Sequence, residues 1–204
     1  MKTWEKYKEY CLTGEWHIHT NYTDGKNSVA EYCEKASKLG IPLIAFTEHV
    51  RRELSYDFSK FLADIERARD AYPELIILSG CEAKILPDGE LDVDKYILNE
   101  VDYPIFAVHS FPPDIDLYIK QLKNVIRNEK VNAWAHPGLF LKRSNLEMDG
   151  RALMEILMLM KEKKVLLEVN RKYELPPENW RKLAEKIGVC VVKGSDVHEL
   201  SELL

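Results

Sequence analysis

Seven short β-rich runs alternate with helix-like stretches along the chain, and this alternation limits the folds open to it. The runs predict strands at Glu15–His19, Leu43–Glu48, Ile76–Cys81, Tyr103–His109, Val131–His136, Val165–Asn170 and Val189–Gly194. Several of them are almost continuously apolar, which is typical of parallel strands with both faces buried. The alternation therefore predicts an α/β fold with a parallel sheet.

Helical periodicity fills most of the intervals between the strands. It predicts helices at Ser28–Leu39, Phe58–Tyr72, Leu117–Asn128, Arg151–Lys163 and Pro177–Ile187. In the first of these, Ser28 and Glu31 match a capping box, and Gly40 followed by Pro42 marks the end of the helix.

Seven such units favour a closed or nearly closed parallel barrel, in which all strand ends surround one mouth. An open doubly wound sheet is the alternative. It is disfavoured because no G-x-G-x-x-G follows the first strand, and because polar candidates end nearly every strand rather than gathering at one switch point. The chain is short for eight units, so seven fit its 204 residues better.

Composition narrows the class of protein. The length fits a single domain, residues 1–204, and a hydrophobic content of 46% supplies a sizeable core. A net charge of -5 argues against a nucleic-acid or membrane-surface binder, whose footprint is basic. Four widely spaced cysteines without C-x-x-C indicate reduced thiols, and no apolar run suggests a signal peptide or a membrane span. We therefore expect a cytoplasmic protein that does not enter membranes.

Every histidine of the chain lies at or near the end of a predicted strand. The six are His17, His19, His49, His109, His136 and His198. Glu82 follows another strand, and Asp196 precedes His198 by two residues. Imidazole and carboxylate suit Zn, Mn and Fe, and carboxylate-rich positions also accept Mg. The pattern predicts one metal site at the mouth of the barrel.

Two histidine pairs have the spacing of strand neighbours. His17 and His19 alternate with Ile18, so both imidazoles point to one face. Asp196 and His198 repeat this spacing, although Asp196 also fits the N-cap of a short final helix.

The remaining candidate ligands differ in how strongly each one indicates a metal site by itself. Asp24, in N-Y-T-D-G, is by itself better explained as a turn residue before a glycine. A carboxylate such as Glu82, directly after an apolar run, needs a cation or a hydrogen-bond partner. A lone histidine at a strand end is more often a satisfied polar residue than a ligand. The metal hypothesis rests on all of these residues occurring together.

Two basic pairs follow the predicted ligands. Arg51 and Arg52 come after His49, and Lys142 and Arg143 follow the A-H-P-G turn. Arginine commonly binds a phosphate through two parallel N–H donors. Each pair is explained equally well as solvated charge in a loop. We keep Arg51, Lys142 and Arg143 as candidate substrate-binding residues.

The ordered motifs resemble those of the polymerase-and-histidinol-phosphatase (PHP) superfamily. They are H-x-H-T…D-G, T-E-H, a strand-end Glu, V-H, A-H-P and S-D-V-H, from Glu15 to His198. The resemblance implies a distorted (β/α)7 barrel with a trinuclear metal centre at the C-terminal ends of the strands, and we expect two to three bound divalent metal ions. By matching motif it implies three ligand groups: His17, His19, Glu82 and Asp196; Glu82, His109 and His136; and Asp24, His49 and His198.

The resemblance also implies a function. We expect a stand-alone phosphoesterase in which metal-activated water attacks phosphorus, with no serine or cysteine nucleophile. The expected substrate is a small phosphomonoester, such as histidinol phosphate or a nucleotide phosphate. The alternatives are a phosphodiesterase or 3′–5′ exonuclease, for which the sequence shows no basic groove with stacking aromatics, and a non-catalytic, metal-stabilised regulatory protein.

Overall fold

The computed structural model describes all 204 residues and contains a single sheet of seven parallel strands. In chain order the strands are β1 (Glu15–Ile18), β2 (Leu43–Val50), β3 (Ile76–Lys84), β4 (Tyr103–Ala107), β5 (Ala133–Trp134), β6 (Leu166–Asn170) and β7 (Val191–Gly194). Each strand pairs with its neighbour in sequence. The predicted strands are therefore confirmed, with shifts at their ends.

The sheet closes through one residue beyond its last strand. Val197 forms a parallel bridge with Ile18. The His19 amide donates to the Val197 carbonyl at 2.8 Å, and the Val197 amide donates to the His17 carbonyl at 2.9 Å. We call this contact the seam. It turns the sheet into a nearly closed (β/α)7 barrel, as predicted, and excludes the open-sheet alternative.

Eight α-helices accompany the strands. They are α1 (Thr3–Lys6), α2 (Val29–Leu39), α3 (Phe58–Ala71), α4 (Lys95–Glu100), α5 (Ile115–Ile126), α6 (Leu139–Ser144), α7 (Gly150–Lys163) and α8 (Glu178–Ile187). The five predicted helices correspond to α2, α3, α5, α7 and α8, whereas α1, α4 and α6 were not predicted. None of the helices combines the length and apolarity that a bilayer crossing requires.

Side-chain alternation along the strands separates the barrel core from the site. On β2, Leu43 and Ala45 belong to a small cluster inside the barrel, and His49 follows on the same face. On β4, Ile105 precedes His109 in the same way. Apolar side chains thus fill the N-terminal part of the barrel, and the polar side chains emerge at its C-terminal mouth.

Candidate metal centre

Glu82 lies at the centre of the cluster at the mouth. It is fully buried on β3. Its Oε1 atom lies 2.8 Å from His136 Nε2 and 3.5 Å from His109 Nε2. Its Oε2 atom lies 2.9 Å from His49 Nδ1. One carboxylate therefore faces histidines from three separate segments of the chain.

The two ends of the barrel sheet meet beside Glu82. His17 and His19 are completely buried, and their Nε2 atoms are 3.0 Å apart. Asp196 Oδ1 lies 3.5 Å from His17 Nε2 and 3.2 Å from His19 Nε2. The seam holds these residues together, because Val197 bonds to the backbone of both histidines.

Asp24 completes the outer side of the cluster. Its carboxylate lies 3.3 Å from His49 Nε2 and 3.3 Å from His198 Nε2. The loop that carries it is also a turn, closed by a bond from the Gly25 amide to the Thr20 carbonyl. The predicted turn is thus confirmed, and Asp24 also lies beside two other candidate ligands. All nine predicted metal ligands lie in one cluster.

The spacing of these atoms suits metal ions. Ligands bound to one ion at about 2.0–2.2 Å lie roughly 3.0–3.5 Å from each other. Three groups of side chains have ligand atoms within 4.8 Å of one another: His19, Asp24, His49 and His198; His17, His19 and Glu82; and His49, Glu82 and His109. They resemble the three groups implied by the sequence motifs, with His49 in the place expected for His136.

Five buried atoms of the candidate ligands lack a hydrogen-bond partner: Glu82 Oε2 and the Nδ1 atoms of His19, His49, His109 and His136. Glu82 Oε2 and His49 Nδ1 are buried and 2.9 Å apart, yet neither forms a hydrogen bond. A buried polar atom without a partner costs about 1–3 kcal/mol. A cation between imidazole nitrogens and carboxylate oxygens would satisfy such atoms, so the residues present fit the metal ions that their chemistry implies.

The ionisation of the cluster reflects its charge pairs. Burial alone lowers the pKa of His17, but Glu168 and then Glu82 outweigh it and raise the pKa to about 10. Burial lowers the pKa of His19 to about 3. Burial would raise the pKa of Glu82, but the neighbouring histidines, led by His109, hold it well below its usual range. The cluster is therefore built to keep its carboxylates ionised.

Two of the five residues other than glycine with positive φ lie in the cluster. His136 has φ 31° and Asp196 has φ 51°, the left-handed region that residues other than glycine seldom adopt. Such conformations cost about 1–3 kcal/mol each and persist where surrounding contacts enforce them. Both residues turn their side chains into the cluster at the point where their strands end.

The buried carboxylate Glu168 on β6 was not predicted from the sequence. Its Oε1 lies 2.6 Å from His17 Nδ1, and its Oε2 accepts a hydrogen bond from the His136 amide. Gly194 leaves the space for it, because a Cβ there would overlap the Glu168 carboxylate. The signal was available, since a carboxylate inside the apolar run L-L-E-V-N needs a partner just as Glu82 does.

Glu48 is a second buried carboxylate that was not predicted from the sequence. It is completely buried beside His49 and accepts a hydrogen bond from the Thr20 amide at 2.7 Å and another from the Thr23 hydroxyl. These bonds fix the loop that carries Asp24. Burial raises the pKa of Glu48 to about 7 although the bonds from Thr23 and Thr20 oppose that shift.

The predicted substrate-binding residues differ in their surroundings. Arg51 lies 3.6 Å from Asp92, and its side chain is 43% exposed. Lys142 and Arg143 lie on α6 and are exposed. The Arg143 guanidinium stacks 5.7 Å from the centre of the Tyr173 ring, which packs edge-on against His136. Arg143 is thus linked to the cluster through one aromatic ring, whereas Arg51 already has an acidic partner.

The fold and the cluster together define a (β/α)7 barrel with a histidine- and carboxylate-rich centre at its mouth. A model of the PHP domain family matches residues 15–172, which is most of the chain. The chain therefore belongs to the PHP domain family.

Relatives carry two kinds of names. The DNA polymerase/3′-5′ exonuclease PolX of Bacillus subtilis is 31% identical over 204 residues, which cover 94% of this chain and 35% of that protein. This chain thus spans about a third of the length of that relative. A Clostridium acetobutylicum protein named "Probable phosphatase" is 27% identical over 195 residues, covering 89% of this chain and 77% of that protein.

A solved structure agrees with the fold. The histidinol phosphate phosphatase of Lactococcus lactis, crystallised with zinc, L-histidinol and phosphate, superimposes with a TM-score of 0.69. The match has 17% sequence identity and covers 92% of this chain and 87% of that one. At this identity the likeness establishes the fold alone.

Proposed function

We propose that this chain is a metal-dependent phosphoesterase that hydrolyses a small phosphomonoester. The observation that carries the proposal is the position of Glu82, whose carboxylate lies within 3.7 Å of five histidines. Such a set of nitrogen and oxygen ligands suits two or three divalent ions, with Zn, Mn or Fe preferred and Mg accepted.

The proposed ligands form three groups. The first is His17, His19, Glu82 and Asp196, the second Glu82, His109 and His136, and the third Asp24, His49 and His198. When bound, divalent ions supply charge that polarises phosphoryl oxygens and acidifies water. The centre holds three carboxylates, so two or three divalent ions would leave it with the net positive charge that attracts a phosphate.

The chain orients its own ligands for this role. Glu168 faces His17 Nδ1, so that Nε2 of this histidine points to the cluster. The Asp196 carbonyl lies 2.8 Å from His198 Nδ1, so that Nε2 of His198 also points to the cluster. Partners of this kind fix the tautomer and ring orientation of metal-bound histidines.

A small monoester is the proposed substrate, with histidinol phosphate or a nucleotide phosphate as the examples. Three facts support it: the acidic net charge, the phosphatase name of a relative that the match covers to 77%, and the presence of histidinol and phosphate in the Lactococcus structure. Arg143, Lys142 and Arg51 are proposed contacts for the phosphate.

A phosphodiesterase or 3′–5′ exonuclease is the second candidate. The observation in its favour is the relative named as a polymerase and exonuclease, which shares 31% identity with this chain. The two candidates would use the same cluster and differ in the ester they accept. A monoester presents a terminal dianion, whereas a diester does not.

A substrate panel separates the candidates. Metal-free protein would be reconstituted with Mn, Zn or Fe and assayed on phosphomonoester metabolites, bis(p-nitrophenyl) phosphate and a single-stranded oligonucleotide. We expect metal-dependent turnover that is fastest on a monoester. Faster turnover of the diester or oligonucleotide would favour the second candidate, and no turnover of any substrate with metal bound would contradict both.

Glu82→Gln tests the proposed bridging ligand. The change keeps the shape of the side chain but removes a charge shared by two ion positions, so bound metal and turnover should fall together. Glu185→Gln, on the exposed face of α8, is the matched control. Near-wild-type turnover of Glu82→Gln would show that the assignment of Glu82 is wrong.

A further inference from the structure

Lys172 touches the candidate ligands without being one of them. Its Nζ lies 3.0 Å from the Asp196 carbonyl oxygen, 3.0 Å from His198 Nδ1 and 3.6 Å from Asp196 Oδ2. The side chain is 30% exposed, so Lys172 is in contact with both the cluster and the solvent. The proposed function gives Lys172 no role.

The loop that carries Lys172 is fixed by its own hydrogen bonds. The amide of Asn170 donates to the carbonyl of Leu175 at 2.7 Å, and the amide of Leu175 donates back at 3.1 Å. The Asn170 side chain accepts from the Tyr173 amide at 3.1 Å. The loop therefore holds the base of Lys172 in one place beside the cluster.

The hydrogen bonds around His198 cannot all exist at once. His198 Nδ1 lies 2.8 Å from the Asp196 carbonyl and 3.0 Å from the Lys172 ammonium. A bond to the carbonyl requires Nδ1 to donate, and a bond from the ammonium requires Nδ1 to accept. If His198 Nε2 binds a cation, its lone pair is on Nε2 and Nδ1 must carry the proton.

In that tautomer Lys172 loses His198 as an acceptor. Its ammonium has three N–H donors, and the Asp196 carbonyl takes one of them. Asp196 Oδ2, at 3.6 Å, is too distant for a normal hydrogen bond. A partly exposed lysine with unused donors therefore lies next to the proposed metal ligands.

We propose that Lys172 binds the phosphoryl group of the substrate and the phosphate released from it. This inference rests on the proposed function and deepens it, because it names a residue that would recognise the dianionic phosphate of the substrate. The ammonium is a point charge that matches a non-bridging phosphate oxygen. The phosphate of a monoester has one more such oxygen than that of a diester, so Lys172 favours the monoester.

The test separates phosphate binding from support of the metal ligands. Lys172→Met removes the charge and keeps the stem, Lys172→Arg restores a cation, and Lys182→Met is the control, since Lys182 is 73% exposed on α8. Each protein would be reconstituted with metal, its ions counted by mass spectrometry, and its affinity for inorganic phosphate measured by titration calorimetry.

We expect Lys172→Met to keep its metal and to lose about 10- to 150-fold in phosphate affinity, the usual effect of a lost charged hydrogen bond. Lys172→Arg should recover most of the loss, and Lys182→Met should bind as the wild type does. Lys172→Gln serves in its place if Lys172→Met does not fold.

Two results for Lys172→Met would overturn the inference. Loss of metal in parallel with phosphate would show that Lys172 only positions Asp196 and His198, and unchanged phosphate affinity would show that it is a bystander. If the wild type hydrolyses monoesters while Lys172→Met binds phosphate normally, the inference fails and the proposed function stands. If the metal-loaded wild type neither binds phosphate nor hydrolyses any ester, both fail.

Discussion

One buried carboxylate, Glu168, organises two candidate ligands that are far apart in sequence. It faces the ring of His17 and accepts a hydrogen bond from the amide of His136, a residue with a strained backbone. It also lies 3.3 Å from the Asn170 side-chain amide. The cluster thus depends on a residue that does not itself point into it.

Glu168→Gln should weaken metal binding without unfolding the protein. Glutamine keeps the volume and one acceptor for His17, but it removes the charge that supports the imidazole. Loss of such partners typically costs 10- to 100-fold in metal affinity, and we expect roughly that. Competition with a chelator of known affinity measures it. With Glu185→Gln as the reference, an unchanged affinity would show that the carboxylate charge has no such role.

The six histidines, Glu82 and Asp196 could be predicted from the sequence because they lie at or near strand ends, whereas Asp24, in the loop after β1, was predicted through the resemblance of the ordered motifs. The partners of Glu168 and Lys172 could not be predicted in that way. Glu168 meets His17 and His136 only because β1, β5 and β6 curve round one barrel. Lys172 meets Asp196 and His198 through the shape of a loop, and a lone lysine after a strand resembles ordinary surface charge.

At the scale of single elements, the capping box of α2 matches its prediction. The Ser28 hydroxyl accepts from the Glu31 amide at 3.3 Å, and the Glu31 carboxylate accepts from the Ser28 amide at 2.8 Å. Gly40 ends the helix with φ 68°, which glycine adopts without strain. Local sequence is sufficient here because every partner lies within a few residues.

Ser28→Ala should lower the free energy of unfolding by about 1 kcal/mol, because it removes the cap of an amide that then lacks a partner. Chemical denaturation measures the change. Ser37→Ala, at an exposed position within the same helix, should be neutral or slightly stabilising because alanine has the higher helix propensity. Equal effects of the two changes would contradict the capping role.

Helices α1, α4 and α6 were missed because they contain only four to six residues. Fewer than two turns produce no readable periodicity. Their positions depend on tertiary contacts instead. Trp4 of α1, for example, is buried and donates to the Lys164 carbonyl at 2.9 Å, a contact between distant parts of the chain.

Lys2, the residue before α1, gives a prediction about pH. Burial lowers its pKa from 10.5 to about 8, against the opposing charges of Glu5 and Glu129. Between these two pKa values the unfolded chain binds more protons than the folded one. The contribution of Lys2 to the free energy of unfolding therefore rises with pH. Below pH 8 the full cost of burying the ammonium remains.

The stability of the wild type relative to Lys2→Met should therefore increase between pH 8 and pH 10.5. Urea denaturation of both proteins across this range measures the difference, in which other titrating groups cancel. A difference that stays constant with pH would show that Lys2 titrates normally in the folded protein.

At the scale of the whole molecule, the metal content tests the proposed centre. Nine ligands are too many for one tetrahedral site, so metal-replete protein should hold two to three ions per chain. Removal by a chelator should lower the melting temperature, because ions that bind only the folded state stabilise it by mass action. Elemental analysis and calorimetry measure both quantities. One ion or fewer, or an unchanged melting temperature, would count against the proposed centre.

The number of units and the parallel barrel followed from the sequence, because each unit carries its own periodicity. The way the barrel closes did not. Val197 lies beyond the last strand and shows no strand pattern of its own. Its place is set by its bonds to His17 and His19, which exist only once the whole sheet has formed.

The seam also bears on the order of folding. All six pairings within the sheet join strands adjacent in sequence, whereas the seam joins its two ends. Closing so long a loop is entropically the most costly step and should come last. An ion bound by His17 and His19 on one side of the seam and by Asp196 on the other would stabilise that late contact. Bound metal should therefore slow the opening of the native barrel and leave the rate of its assembly almost unchanged.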